Sequence, residues 1–106
     1  MAKTLPKPPK PYQQFVKQFP EVARAYEAFG KSVRQAGSLS HREVALVKLA
    51  ISVGARMEGS THAHARKALA QGITADALLH TAVLAAPTIG FPNMMAALGW
   101  VRETVK

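Results

Sequence analysis

The chain has 106 residues, 48% of them apolar and 19% charged, a composition that excludes both a disordered polymer and a highly charged tail protein. It has no cysteine, which rules out disulfide staples, thiolate metal sites and thiol nucleophiles. A net charge of +8 invites a nucleic-acid reading, but Lys3, Lys7 and Lys10 account for three of those charges and the rest are scattered. No basic helix face or interleaved aromatic residues accompany them, so the pattern argues against nucleic acid as a partner. The longest apolar run, Val44 to Val53, is interrupted by Lys48 and Ser52 and is too short to span a membrane. The opening residues Met1 to Pro6 have no apolar signal core, and the expected location is the cytoplasm.

In chain order, residues 1–11 hold four prolines and no periodicity, and an extended proline-rich arm is expected there. Residues 12–106 are expected to form one helical domain. Tyr12 to Phe19 predicts a short helix stopped by Pro20, which suits the first turn of the next helix. Val22, Tyr26, Phe29 and Val33 then mark one face of an amphipathic helix ending near Gln35, with Gly37 as breaker. Ser40-His41-Arg42-Glu43 is a capping box, and the following run predicts a central buried helix whose small or polar stripe is Ala45, Lys48, Ser52 and Arg56. Another helix begins near Glu58 and ends at Gly72. Thr74, with Asp76 in the first turn, caps a helix running through Ala86. Pro87 to Pro92 interrupts it, and a last helix carries Met95, Leu98, Trp100 and Val101. No segment alternates with period two, so the fold class is all-α, a bundle of five to six helices.

Chemistry concentrates in Met57 to His64. At about 100° per residue, Met57, Ser60 and His64 share one helix face, and Glu58 and His62 share another. His62 and His64 lie about 200° apart, so on a helix they do not chelate one metal. Glu58 with His62 reads as an i,i+4 ion pair; recruiting a third ligand such as His80 would make it a metal site, and no metal is expected. Ser60 beside His64 has no visible orienting acid, and Ser60 reads equally as a small residue allowing close helix contact. Lys48 on an apolar helix must reach water or an acid, and so lines a pocket or a subunit interface.

The stretch Met57 to Thr74, then Leu78 to Ala86 and Gly90-Phe91-Pro92, resembles the carboxymuconolactone decarboxylase family, which includes the alkylhydroperoxidase D proteins. The likeness runs from about Phe29 to Val101 and is most telling in His64-Ala65-Arg66-Lys67-Ala68-Leu69 and the Gly-Phe-Pro turn. In the redox branch a C-x-x-C pair precedes this histidine; here those positions are Met57 and Ser60, and that branch's glutamate falls on Ala45. Only His64 carries over. Thiol peroxidase chemistry is therefore excluded, since neither a thioether nor an alcohol replaces a thiolate. The resemblance implies instead a cofactor-free decarboxylase or lyase, assembled as a homotrimer or homohexamer with its pocket between subunits. In that reading His64 does acid-base work, Glu58 and His62 are further catalytic candidates, and Lys48, Arg56 and Ser60 bind a small carboxylate ligand. The alternative is an oligomeric binding or structural protein that keeps the fold without catalysis.

Overall fold

The computed structural model describes residues 8–106, and all its regular structure is helical. The helices are α1 (Lys10–Gln18), α2 (Pro20–Arg34), α3 (His41–Gly54), α4 (Glu58–Ala70), α5 (Ala75–Val83), the single turn α6 (Ala86–Ile89) and α7 (Phe91–Val105). No strand occurs among the described residues, and no helix there is long and apolar enough to cross a membrane. Contacts divide the helices into two compact units, one ending at Leu39 and one from Ser40 to Lys106.

In the first unit, Pro9 has the extended geometry expected of the arm, φ −56° and ψ 151°. The arm nevertheless ends earlier than expected, because Lys10 already begins α1 and Pro11 sits in its first turn, where a missing N–H costs nothing; residues 1–7 lie outside the described residues. Phe19 separates α1 from α2, with Pro20 opening α2. The rings of Tyr12, Phe15 and Phe19 follow one another at centroid separations of 6.3 and 5.9 Å.

The second unit holds the core, in which Leu49, Val53, Ala65, Ala68, Leu78, Ala82, Ala97 and Val101 are buried. α3 starts at the capping box: Glu43 N–H donates to Ser40 Oγ at 3.0 Å, and Ser40 N–H donates to a Glu43 carboxylate oxygen at 2.8 Å. These two bonds hold the Glu43 carboxyl below its ordinary range. A depressed folded value gives a contribution present above the unfolded value of about 4.3 and lost as pH falls through the folded one. Ser40→Ala is expected to lower the thermal midpoint by a few degrees at pH 7, with the difference shrinking below pH 4, as a pH series of melts would show.

α3 departs from its sequence reading. It was expected to be buried nearly all round, with Ala45 and Ser52 in its polar stripe, yet those two are buried while Val47 and Ile51 are 44% and 63% exposed. Close packing decides this: small residues on α3 meet Ala65 and Ala68 of α4, and the antiparallel hairpin closes over them. The last helix buries Met94, Ala97, Leu98 and Val101 and leaves Met95 exposed. Trp100 is half-buried against the core. α5 ends at Val83 rather than Ala86, because Pro87 seats itself in the first turn of α6.

Glycine is needed where α4 ends. Gly72 has φ +87°, its N–H donates to Leu69 O, and Ile73 N–H donates to Ala68 O at 3.1 Å, so the last carbonyls are satisfied and Ile73 is tucked into the core.

Candidate active site

The three-residue turn 55–57 folds α4 back along α3. Across this seam Ser52 Oγ and Ser60 Oγ are 2.7 Å apart, and Ser52 Oγ also donates to Lys48 O at 3.2 Å. Since Ser52 spends its proton on that carbonyl, Ser60 donates across the seam and Ser52 accepts. This satisfied pair explains how a serine is buried in α3 without penalty. It also marks where the two helices meet: helical periodicity puts Lys48 one turn before Ser52 and His64 one turn after Ser60, each on the side of its helix that carries the pair. Lys48, Ser60 and His64 are half-buried and all engaged.

The turn itself is strained. Arg56 has φ 59°, the left-handed region, while Arg56 N–H donates to Val53 O and Met57 N–H to Ser52 O at 3.0 Å. This is the hydrogen-bond pattern that ends α4 at Gly72, built here on an arginine. Arg56→Gly is expected to stabilise the fold by about 1 kcal/mol, read as a higher urea midpoint. An unchanged or lower midpoint would show that the left-handed turn carries no strain.

Glu58 and His62 belong to a different seam. On α4 they face α7, where His62 Nδ1 is 2.9 Å from Thr104 Oγ1 and His62 Nε2 is 3.8 Å from Glu58 and 3.6 Å from Glu103. Thr104 donates its own proton to Trp100 O at 3.3 Å, which makes Nδ1 the donor and turns Nε2 toward the two carboxylates. The six sequence candidates thus fall into Lys48, Ser60 and His64 on the α3/α4 seam, Arg56 exposed at its end, and Glu58 with His62 against α7. Among the described residues no group of three His, Cys, Asp or Glu is arranged to hold a metal ion. Sequence reasoning noted Ser52 but left it out of the site, and it missed Glu103 and Thr104 altogether. The polar residue in a buried α3 was the one signal available for Ser52, and nothing local marks the α7 pair. Thr61, next to Ser60 but facing the core, is fully buried with its hydroxyl unpartnered.

An open cleft of about 540 Å³ lies elsewhere in this unit, lined by His41, Arg42, Gln71, Gly72 and Ile73. It includes none of the six candidates.

A model of the carboxymuconolactone decarboxylase family matches residues 20–103. The chain belongs to this family. No curated protein and no solved structure matches it. The chain contains no cysteine.

Proposed function

We propose that this protein is a cofactor-free decarboxylase or lyase acting on a small carboxylated molecule, with His64 as general acid-base. The observation that supports it is the Ser52–Ser60 pair, with Lys48 and His64 each one helical turn from it on the same side of their helices. A cation beside an imidazole provides the two elements such a reaction needs: an anchor for a carboxylate, and a group that moves a proton to or from carbon near neutral pH. Ser60, whose proton is committed to Ser52, borders the ligand without donating to it, and Arg56 supplies a second cation at the end of the seam. Glu58 and His62 have no direct part, since they face α7. Val47, Ile51 and Met57, exposed on the same hairpin, are the surface another subunit covers to close the pocket in a homotrimer or homohexamer.

The test is release of CO2 from a panel of small carboxylated lactones and unsaturated acids. Wild type is expected to turn over at least one, His64→Gln to lose that turnover, and Lys48→Met to raise KM. Equal activity of all three proteins would overturn the assignment. The second reading, a binding protein that keeps the fold, is favoured by the cleft at His41 and Arg42, which does not reach His64. Saturable carboxylate binding that Arg42→Ala abolishes and His64→Gln leaves intact would establish it.

A further inference from the structure

The apolar face of α2 is exposed along its whole length. Val22, Tyr26, Phe29 and Val33 are 54%, 62%, 67% and 53% exposed, and Phe19 at the head of the helix is 54% exposed. Their spacings alternate three and four, the seam of a two-helix coiled coil rather than the broader face that packs into a globular core. The flanking positions are small: Ala23 and Gly30 on one edge, Ala25 and Ser32 on the other. The Ala25 and Ser32 edge lets a second helix approach closely, while the Arg34 side chain lies over the Gly30 edge.

We infer that this face pairs antiparallel with α2 of a second copy of the chain, about a two-fold axis between residues 27 and 28. Three observations select that occupant and direction. The series is self-complementary, since reversal sets Val22 against Val33 of the second copy and Tyr26 against Phe29, alternating the two kinds of seam position as antiparallel helices do. Charge agrees. Arg34 folds back along the Gly30 edge, where its guanidinium is 3.2 Å from the point a Cβ on Gly30 would occupy. Reversal brings that guanidinium to the level of residue 25 of the second copy, within one turn of Glu27, which lies on the same flank; parallel pairing would set each residue at the level of its like. Area is the third. Aromatic side chains offer about 150–250 Å² each, so at these exposures the five residues present roughly 500 Å² per copy, or about 1,000 Å² across the pair, the threshold for a stable interface.

The inference rests on the self-association proposed above and narrows it. A two-fold pair fits a hexamer built from dimers and does not occur within a simple three-fold trimer. Because the chain has no cysteine, engineered disulfides report the pairing without background. Val22→Cys/Val33→Cys in one chain is expected to give a covalent dimer on mild oxidation. Either single variant is expected to stay uncrosslinked, and an equimolar mixture of the two singles to give a heterodimer. The two sites on one chain are about 16 Å apart along the helix, so they do not bridge internally. Single variants that crosslink as well as the double variant would overturn the antiparallel register, and no crosslinking at all would overturn the pairing. Sedimentation separates the readings: an uncrosslinked protein that still sediments as an oligomer removes this interface alone, and a monomeric wild type removes the self-association with it. As a second variant, Phe29→Glu is expected to weaken association at least tenfold while its far-ultraviolet spectrum is unchanged; unaltered association would count against the pairing.

Discussion

His64→Gln is expected to lower kcat by about 10²- to 10⁴-fold on whichever substrate the carboxylate panel identifies, the usual contribution of a positioned general acid or base. Glutamine keeps hydrogen-bonding groups on the half-buried face of α4 and removes only the ability to carry a proton near neutral pH. Helix content and assembly should therefore be unchanged. The control is His62→Gln, on the same helix about 200° away, whose partners are Thr104, Glu58 and Glu103. That variant loosens α4 against α7 and is expected to cost stability with kcat within about threefold of wild type. If the effects are reversed, the chemistry lies on the α4/α7 seam and the assignment to His64 is wrong.

The contrast between these histidines shows what the sequence makes legible. Their angular separation follows from helical periodicity and needs only the helix, which the Gly72-Thr74 break already bounds. Ser40, Thr74, Pro20 and Gly72 all sit where their own chemistry puts them, because a cap or a left-handed C-terminus is settled by bonds within a few residues. Facing is harder. On α3 the larger residues Val47 and Ile51 look more like core than Ala45 and Ser52, but close approach of α4 rewards small side chains, and Ser60 removes the cost of burying Ser52. The strained Arg56 is invisible in sequence, since arginine carries no signature for a left-handed turn. Thr104, 42 residues from His62, is brought to it only by the packing of α7 on α4.

Leu49→Ala is expected to destabilise the protein by about 2–5 kcal/mol, measured as a fall in the urea midpoint with little change in slope. Leu49 is completely buried in the cluster that holds α3, α4, α5 and α7 together. The same cluster holds Ala45, Ala65 and Ala68, whose short side chains have little reach to fill the space a leucine leaves, which argues for the upper half of that range. Ile51, two residues along and 63% exposed, provides the comparison. In an isolated chain Ile51→Ala should cost no more than about 1 kcal/mol, since most of its side chain never leaves water. In an assembly that covers the hairpin, the cost of Ile51→Ala should rise with protein concentration, because the folded state then draws stability from association. A concentration series on both variants therefore separates the internal core from the subunit surface: the Leu49 effect should stay constant across it and the Ile51 effect should grow. A constant, small Ile51 effect up to high micromolar concentration would place the subunit contact on another face.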